Sequence, residues 1–355
     1  MKIVRHALVP YRLPLRAPLA LGRVRIGERE GVLLRLETAD GLVGWGDAAP
    51  LPGFSREFLF DVRLELDAFG SALCERTLDP RDVTDPDGRL HTALDRVGLK
   101  PSARYALDLA LWDLAAQATG RSLAHALGPE PADTVPINGL ITEAAPLAFV
   151  EAEQLAEAGY GTLKLKVGRG ALREDVGLVQ GVCERCAALA LRLDANRAWT
   201  WDEGRLFADE IAGLDVAYVE EPLREASALP RLCEETRLPI ALDETLAEPD
   251  GASMLGDWTA AAVLKPTVLG GVAATLRLAA HARRLGARVV LSAAFESGVG
   301  MRGVAALAAA TGGEAAGLDP YRRLARDVLA EPLPFDRPTV DVPALLDRPL
   351  EVRGR

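Results

Sequence analysis

Two lysines stand two residues apart in the stretch LKLKVG at residues 163–168, in a chain that almost never uses lysine. Only five of its 41 basic residues are lysines: Lys2, Lys100, Lys164, Lys166 and Lys265. An arginine keeps its proton at any usable pH, whereas a lysine in a dry pocket can release it. The positions at which this chain retains lysine therefore suggest a role in proton transfer.

Three carboxylates accompany these lysines, each near the end of a β-rich run. Asp194 lies in ALRLDAN, Glu220 in VAYVEEP and Asp243 in IALDET. Carboxylates without histidine or cysteine suit a hard octahedral cation, and Mg²⁺ is the leading candidate. Such a cation would stabilise the charge that develops on a substrate carboxylate when a base removes the proton from its α-carbon.

The base in this scheme must be a neutral lysine. Burial and a neighbouring ammonium both favour the neutral form, so the closeness of Lys164 and Lys166 would help to keep the lysine that acts as base neutral. The alternative is that the three acids and three lysines only form ion pairs at strand ends, where such networks also occur. The scarcity of lysine and the regular spacing of these residues are independent features, and together they favour a reactive site.

The elements that must position these residues follow from the spacing. From about residue 135, seven short β-rich runs alternate with longer helical ones, and the polar residues near their ends are 28, 26, 23, 22 and 27 residues apart from Lys166 to Ser292. Each step fits one strand, one helix and two short loops. Seven or eight such units favour a closed parallel barrel, whose active site lies at the carboxyl ends of the strands. A period of two directs Lys164 and Lys166 to the same side of their strand.

The first hundred residues have a different pattern, typical of a small α+β unit. The run GVLLRLETADGLVGWGDAAPLPGF predicts two strands joined by a turn at Asp40-Gly41 and followed by a loop. SREFLFDVRLELDAFGSAL has helical spacing, and residues 81–100, rich in Asp, Pro and Gly, are typical of a loop. SARYALDLALWDLAAQATG then predicts a long helix that Ser102 caps and Gly120 ends.

Composition limits the classes of partner. The chain has 355 residues, a formal charge of -10 and scattered arginines, which argues against a nucleic-acid surface. It has no apolar run of the roughly 18 residues that span a membrane, and its start lacks the apolar block of a secretion signal. We therefore expect a cytoplasmic protein with a small-molecule substrate, without nucleic-acid or membrane partners; its oligomeric state has no sequence signal. The pair Cys183 and Cys186 lies within a helical pattern and predicts no zinc site.

At these residues the chain resembles the enolase superfamily. LKLKVG is similar to its Lys-x-Lys strand, LRLDANRAW, YVEEPL and ALDET are similar to its metal-binding segments, and LKPTVLGG is similar to the segment with the opposing lysine. The resemblance implies an α/β fold, a modified (β/α)7β TIM-like barrel with an N-terminal α+β capping domain. Residues 1–100 would form the cap and 101–320 the barrel, and 321–355 would return to the cap.

The resemblance also implies roles for the clustered residues. Mg²⁺, with Mn²⁺ as the other possibility, would bind to Asp194, Glu220 and Asp243. The family pattern favours the first acid of EEP over Glu221, and the aspartate of LDET over Glu244.

Within the superfamily, the segments GWGDAAPLPGFSRE, RLDANRAWT, FESGVGMRGVAALAA and GLDPYRRLARDVL resemble the o-succinylbenzoate synthases of the muconate-lactonising enzyme subgroup. This resemblance implies a carbon–oxygen lyase (hydro-lyase) of menaquinone biosynthesis with a dicarboxylate substrate, 2-succinyl-6-hydroxy-2,4-cyclohexadiene-1-carboxylate. Lys166 would act as base and then as acid, Lys265 as an ammonium on the opposite face, and Lys164 would tune Lys166 and bind the carboxylate. Lid loops are implied near 15–27 and 48–56.

The same resemblance implies a set of substrate-binding residues. Backbone N–H groups of the SGVG segment would receive the succinyl carboxylate, and the PLPGFS loop would close over the ring. The set is Gly53, Phe54, Ser55, Arg192, Asn196, Ser297, Gly298 and Val299.

Other members of this subgroup share the core motifs. The main alternative is an N-acylamino acid racemase that uses Lys166 and Lys265 as bases on opposite faces, or an enzyme with both activities. A dipeptide epimerase is disfavoured, because GLDPY holds only Asp319 where those enzymes have an Asp-x-Asp pair. A metal-binding barrel without catalytic activity is the remaining alternative.

Overall fold

The computed structural model describes residues 1–21 and 24–353, and the chain begins with a three-stranded antiparallel sheet in the order β1-β2-β3. As predicted, a turn at 39–40 joins the second and third strands, and Gly41 follows it at φ 87°. The first two strands pair as far as Leu21 and Val24, so the lid expected near 15–27 is the end of a long hairpin, of which residues 22 and 23 lie outside the described residues. Its role as a lid stays a prediction. The strands are β1 (Ile3–Leu21), β2 (Val24–Thr38) and β3 (Val43–Ala48).

Five helices complete this part of the chain: α1 (Leu59–Leu73), α2 (Pro80–Thr84), α3 (Arg89–Val97), α4 (Pro101–Ala118) and α5 (Leu123–Leu127). The prediction of a loop at 81–100 is wrong, because α2 and α3 occupy most of it. The Asp, Pro and Gly residues of this segment and its flank lie at the ends of helices. Asp79 accepts a hydrogen bond from Arg81 N, and Pro80 is the first residue of α2. Gly98, at φ 70°, ends α3.

Helix α4 begins two residues earlier than a cap at Ser102 predicts. Its first residue is Pro101, and the hydroxyl of Ser102 is buried without a hydrogen-bond partner among the described residues, so the predicted cap is wrong. Glu57 accepts the hydrogen bond from Ser102 N instead, at 3.1 Å. Gly120, at φ 65°, follows the helix end as predicted. The helix lies so close to β3 that a Cβ on Gly46 would stand 1.8 Å from the carbonyl oxygen of Ala106.

The rest of the chain forms a parallel sheet of seven strands in sequential order, as the spacing predicted. The segment at 316–317 closes it, because Ala316 bridges to Ile137 and Gly317 bridges to Ser292, both in parallel. The closed barrel and the cap confirm the predicted fold class. The seven strands are β5 (Gly139–Ile141), β6 (Thr162–Lys166), β7 (Ala190–Asp194), β8 (Val216–Glu220), β9 (Ile240–Leu242), β10 (Thr259–Leu264) and β11 (Arg288–Leu291), preceded in the chain by β4 (Thr134–Pro136).

Helices connect the strands in every gap but one. Between β9 and β10 the described chain has only 3-10 helices, at Glu244–Ala247 and Gly251–Met254, so the predicted helical run is wrong there. The sequence Pro249-Asp250-Gly251 interrupts any longer helix. The connecting helices are α6 (Leu147–Glu157), α7 (Leu172–Arg185), α8 (Trp201–Glu210), α9 (Leu229–Thr236), α10 (Pro266–Leu269), α11 (Val272–Arg284) and α12 (Gly298–Thr311).

The C-terminal segment returns to the cap as expected for this fold. A 3-10 helix at Asp319–Arg323 is followed by a bridge between Leu324 and Leu15, and Ala325 N donates to Pro14 O at 2.8 Å. Strand β12 (Thr339–Asp341) then pairs antiparallel with β4, and α13 (Val342–Leu346) follows. Domain boundaries at residues 100 and 320 stay predictions. No helix among the described residues is long and apolar enough to cross a membrane.

Candidate active site

The lysines and carboxylates singled out in the sequence meet at one rim of the barrel. Lys166 pairs in register with Asp194 across β6 and β7, and Asp194 pairs with Glu220 across β7 and β8. Asp243 and Lys265 are the first residues after β9 and β10. All five therefore stand at the carboxyl ends of parallel strands, where side chains from several strands converge.

Direct ion pairs join these groups. The Nζ atom of Lys164 lies 2.8 Å from both Asp194 Oδ2 and Glu220 Oε2, and Lys166 Nζ lies 2.6 Å from Asp194 Oδ2. Lys265 donates a hydrogen bond to Asp243. All three carboxylates are at least 96% buried, so each charge depends on these partners rather than on water.

The expected lowering of the pKa of the base does not extend to Lys164, the partner that would tune the base. Burial lowers its pKa, but the charges of Asp194 and Glu220 outweigh burial and hold the pKa well above the ordinary value. The pKa of Lys265 is raised in the same way, by Asp243 and Glu244 against burial. The prediction considered a neighbouring ammonium, whereas the nearest charges to these amines are carboxylates.

The carboxylates respond unequally to the shared ammonium groups. Burial raises the pKa of Asp194, but the contacts with Lys164 and Lys166 outweigh it and leave the pKa below its ordinary value. For Glu220, burial and the charge of Asp194 together raise the pKa well above the ordinary value, despite the contact with Lys164. Three lysines thus face three carboxylates, and Glu220 is less well stabilised by them than Asp194.

The raised pKa of Glu220 bears on the implied cation. Within residues 1–21 and 24–353, no three His, Cys, Asp or Glu side chains stand in cation-binding positions, because ammonium groups lie between the acids. The donor set itself fits Mg²⁺: three buried carboxylates from adjacent strands with no nitrogen or sulfur ligand. A divalent ion would relieve the repulsion that raises the pKa of Glu220. Asp194, Glu220 and Asp243 are the residues that could hold it.

The second acids of the EEP and LDET motifs have other partners. Glu221 accepts hydrogen bonds from Asp243 N and Thr245 N, both at 2.8 Å, and from Arg197, so it turns away from Lys164 and orients the chain at Asp243. This role was not predicted from the sequence, although a second acid directly after Glu220 was a signal for it.

Glu244 was also missed. Its Oε1 accepts a hydrogen bond from Asn196 Nδ2 at 2.9 Å, and its Oε2 is buried without a partner among the described residues. Burial, with the charge of Asp243, raises the pKa of Glu244 to about 7. In the sequence, the signal for Glu244 was its position directly after Asp243, a predicted metal ligand.

Of two predicted substrate-binding residues on β7 and the loop after it, one lies in the cluster and the other does not. Asn196 Oδ1 lies 2.6 Å from Lys166 Nζ, inside the cluster. Arg192 lies two residues before Asp194, is 2% exposed, and donates to Ala315 O and the carboxylate of Glu314. The structure therefore does not bring Arg192 to the rim where the lysines meet.

The predicted lid residues Gly53, Phe54 and Ser55 lie in a tight turn after β3. Leu51 O accepts hydrogen bonds from Phe54 N and Ser55 N, at 3.0 and 2.8 Å, and Gly53 has φ 82°. The Phe54 ring centre lies 4.6 Å from Lys265 Nζ, within cation–π range. The loop thus reaches the cluster with an aromatic face.

The SGVG backbone does not have the role predicted for it. Ser297 N donates to Asp47 Oδ2 at 2.8 Å, and Gly298 N donates to Asp327 Oδ1 at 2.9 Å. Two of the three expected donors are therefore occupied by carboxylates of the protein, and Val299 is 2% exposed. A Cβ on Gly298 would stand 2.1 Å from Asp327 Oδ2, which explains the glycine.

A buried arginine, which was not predicted from the sequence, connects the start of the loop after β3 (Ala49 and Pro50, here called the lid base) to the barrel. Arg29 is 1% exposed, and its guanidinium donates to four carbonyl oxygens. Two belong to Ala49 and Pro50 at the lid base, and two to Ala294 and Phe295 after β11. An arginine within a strand that packs into the cap was its only sequence signal.

Two family models match the chain. The model described as the mandelate racemase / muconate lactonizing enzyme N-terminal domain covers residues 4–128. The model described as enolase C-terminal domain-like covers residues 148–346. The two matches lie on the cap and on the barrel.

Relatives match over most of the chain. The o-succinylbenzoate synthase of Vibrio cholerae serotype O1 (strain M66-2) is 32% identical, over 86% of this chain and 86% of that protein. Protein PHYLLO, chloroplastic, from Arabidopsis thaliana is 33% identical over 77% of this chain, but the match spans only 17% of that longer protein.

Solved structures share the fold. The dipeptide epimerase from Methylococcus capsulatus, complexed with Mg and the dipeptide L-Arg-D-Lys, has a TM-score of 0.83 at 27% identity, covering 96% of this chain and 97% of that one. The N-succinyl Arg/Lys racemase from Bacillus cereus ATCC 14579 has the same TM-score at 21% identity, covering 96% and 93%, and this likeness is one of fold alone.

Proposed function

This chain belongs to the enolase superfamily of enzymes, and from that premise we propose that it is an o-succinylbenzoate synthase of menaquinone biosynthesis. It would convert 2-succinyl-6-hydroxy-2,4-cyclohexadiene-1-carboxylate to o-succinylbenzoate and water. The relative of that name, 32% identical over 86% of both chains, supports the choice. The observation that carries the chemistry is that two lysines face each other across three buried carboxylates.

The facing positions follow from strand order. Counting from β5, the strand β6 is the second of eight and β10 is the sixth, so Lys166 and Lys265 stand on opposite sides of the barrel mouth. A flat ring bound between them would present one face to each amine. One lysine can therefore exchange protons on one face while the other remains an ammonium.

Lys166 is the proposed base. Its neutral amine takes the proton from the ring carbon that bears the carboxylate, and the electron pair moves into that carboxylate. The resulting ammonium then donates the same proton to the hydroxyl on the neighbouring carbon, on the same face. The carbon–oxygen bond breaks, water leaves and the ring becomes aromatic. The contacts of Lys166 with Asp194 and Asn196 hold the amine at the rim.

Lys265 and the lid act on the other face. The raised pKa of Lys265 keeps it an ammonium, which stabilises negative charge spread over the ring and carboxylate. Phe54 lies against this ammonium and excludes water from that face. Lys164, also held as an ammonium by its carboxylate partners, would bind the substrate carboxylate and tune Lys166.

The cation belongs to this proposal too. Asp194, Glu220 and Asp243 would hold Mg²⁺, or Mn²⁺, which when bound supplies positive charge beside the substrate carboxylate and makes the neighbouring carbon more acidic. The proposed substrate is a dicarboxylate, and the cation would balance part of its negative charge beside the three acids.

A racemase of N-acylated amino acids is the second candidate, because the opposed amines also suit proton exchange on both faces of one carbon. The N-succinyl Arg/Lys racemase shares the fold of this chain, as the dipeptide epimerases do, so the choice rests on the opposed amines. An enzyme with both activities is compatible with the same site. Deuterium from the solvent would then enter both enantiomers of the substrate.

The proposal is tested by incubating the purified protein and Mg²⁺ with the cyclohexadiene substrate and following the ultraviolet absorbance of the aromatic product. In parallel, N-succinyl amino acids and dipeptides are incubated in D₂O and examined by NMR. We expect aromatic product at a kcat/KM above that for racemisation or epimerisation. Absence of aromatic product, with deuterium in both enantiomers of an N-acyl substrate, would show that the racemase is correct.

A further inference from the structure

A large cavity lies on the flank of the barrel, away from the lysine and carboxylate cluster. Its volume is about 980 Å³. One wall is the helix α6, and the other is the C-terminal segment from Asp319 to Arg337. A regular barrel has a helix after its eighth strand. Here the described chain after 317 continues as a 3-10 helix and extended segments, which fill that volume only in part.

The cavity is more basic than the chain as a whole. Six arginines and four carboxylates line it, a surplus of two positive charges in a chain of formal charge -10. Across the described ranges, four of these guanidinium groups have no hydrogen-bond or ion-pair partner. They belong to Arg323, Arg326, Arg337 and Arg348, whereas Arg16 and Arg322 have partners.

The carboxylates in the lining do not satisfy those arginines. Glu151 accepts hydrogen bonds from Thr142 N and Glu143 N, at 2.9 and 3.2 Å. Asp327 accepts from two backbone N–H groups and from the hydroxyl of Tyr321. Asp319 pairs with Arg322 within the same turn of 3-10 helix. Glu151 and Asp327 are thus satisfied by donors of the protein, Asp319 neutralises Arg322, and the four arginines without partners outnumber the remaining carboxylate, Asp336.

A buried tyrosine supplies a second, independent observation. Tyr160 lines the cavity and is 3% exposed, and its hydroxyl is buried with no hydrogen-bond partner in the part of the chain that the structure describes. Burial raises its pKa, the nearby Arg322 guanidinium lowers it, and the charges of Asp319 and Asp336 raise it, so charges of both signs lie near the hydroxyl. A buried hydroxyl without a partner is costly unless a ligand or water satisfies it.

The remaining lining is apolar and would hold the body of a ligand. Leu140 and Leu155 stand on the barrel side, and Leu324, Leu333 and Phe335 on the C-terminal side. An inorganic ion would leave these surfaces wet. An organic molecule with an apolar body and acidic oxygens at one end satisfies both surfaces.

We infer that this cavity binds a small organic dianion, with its acidic oxygens between the Tyr160 hydroxyl and the Arg322 guanidinium and its apolar body against α6. Carboxylates and phosphate esters share this chemistry, and both accept hydrogen bonds from arginine. None of the clustered lysines and carboxylates lines this cavity. Binding in the cavity does not depend on which reaction the rim of the barrel catalyses.

The test is calorimetric titration of the full-length protein, loaded with Mg²⁺, with phenyl phosphate, phthalate and neutral phenol. At least one dianion should bind about tenfold more tightly than phenol. Tyr160→Phe and Arg322→Gln should each weaken that binding about tenfold, the effect of losing one charge-assisted hydrogen bond. Arg63→Gln, the same change at an exposed arginine of α1, should leave it within about twofold.

The relative affinities identify the source of the dianion. Tighter phenyl phosphate points to a phosphate ester and tighter phthalate to a dicarboxylate, and either supports the site. Thermal unfolding and the catalytic activity should stay at the wild-type level in both variants. If Arg322→Gln fails to fold, Arg337→Gln takes its place, since that guanidinium has no partner among the described residues. Dianions that bind no better than phenol, or equally well to the variants, would overturn the inference.

Discussion

The ammonium nitrogen of Lys265 lies 4.6 Å from the centre of the Phe54 ring, a contact between the barrel and the loop that follows β3. Phe54→Leu keeps an apolar side chain but removes the aromatic face. We expect kcat/KM to fall about tenfold, because a desolvated cation–π contact contributes about 1–2 kcal/mol. Steady-state kinetics with the diene substrate measure the effect. Phe60→Leu, at a position 70% exposed in α1, is the matched control and should have wild-type kinetics.

Arg29 should act as a positioning residue for the lid. Arg29→Met keeps much of the side-chain length but leaves four carbonyl oxygens without their donor, so we expect the free energy of unfolding to fall by about 3 kcal/mol. Because the lid base loosens, KM should rise more than kcat falls, and Arg29→Lys should restore part of the affinity. Denaturant unfolding and kinetics measure both. Arg25→Met, at an exposed site in the same strand, is the control; an equal loss there would refute the role of Arg29.

Asp47 should make stability depend on pH. Burial outweighs its hydrogen bonds and raises its pKa from 3.8 to about 6 in the folded protein. A carboxyl with a raised folded pKa binds a proton on folding between these values, so its contribution to stability is complete below pH 3.8 and is lost as the pH rises to about 6. The difference in unfolding free energy between wild type and Asp47→Asn should therefore fall by about 2 kcal/mol from pH 4 to pH 6.5.

Urea unfolding at a series of pH values measures this difference. The control is Asp209→Asn, an exposed aspartate of α8, whose difference from wild type should stay flat above pH 5. A flat difference for Asp47→Asn as well would mean that this carboxyl titrates normally in the folded protein.

Binding of Mg²⁺ should be measurable without turnover. A cation that binds only the folded protein adds about 2.7 kcal/mol to stability at a hundred times its Kd. We expect Mg²⁺ to raise the unfolding temperature of wild type, and Asp243→Asn to lose most of that rise because one of three carboxylates is gone. Asp209→Asn should keep it. The same rise in Asp243→Asn as in wild type would place the cation elsewhere.

Much of the fold was predictable because the parallel strands follow a regular period. The spacing between Lys166 and Ser292 located the barrel strands, and the polar residue at each strand end located the rim. The loop predicted at 81–100 was wrong because the same Asp, Pro and Gly residues begin and end short helices as readily as they form turns. The prediction of a helix between β9 and β10 was wrong because the length of that connection fits a helix, but Pro249 and Gly251 interrupt it.

The site was predictable in membership but not in electrostatics. Strand register brings Lys164, Lys166, Asp194 and Glu220 together. The regular spacing of these residues in the sequence was enough to predict that they would meet. Which charge lies nearest to Lys164 depends on side-chain positions across two neighbouring strands, so the direction of its pKa shift was not predictable.

The partners of the SGVG segment show the same limit at longer range. Asp47 precedes Ser297 by 250 residues, and no local pattern indicated that it would accept the Ser297 N–H. Arg29 likewise joins segments of the chain that lie far apart in the sequence. Contacts of this kind follow from how the cap packs on the barrel.

The central claim is that Lys166 serves as a base, and Lys166→Arg tests it most directly. Arginine keeps the positive charge and its hydrogen bonds but cannot give a neutral amine. We expect an unfolding temperature close to that of wild type and a kcat at least about a hundredfold lower, the usual contribution of a general base. Lys100→Arg, the same change at an exposed lysine, should have wild-type kcat. A kcat for Lys166→Arg within about threefold of wild type would contradict the account.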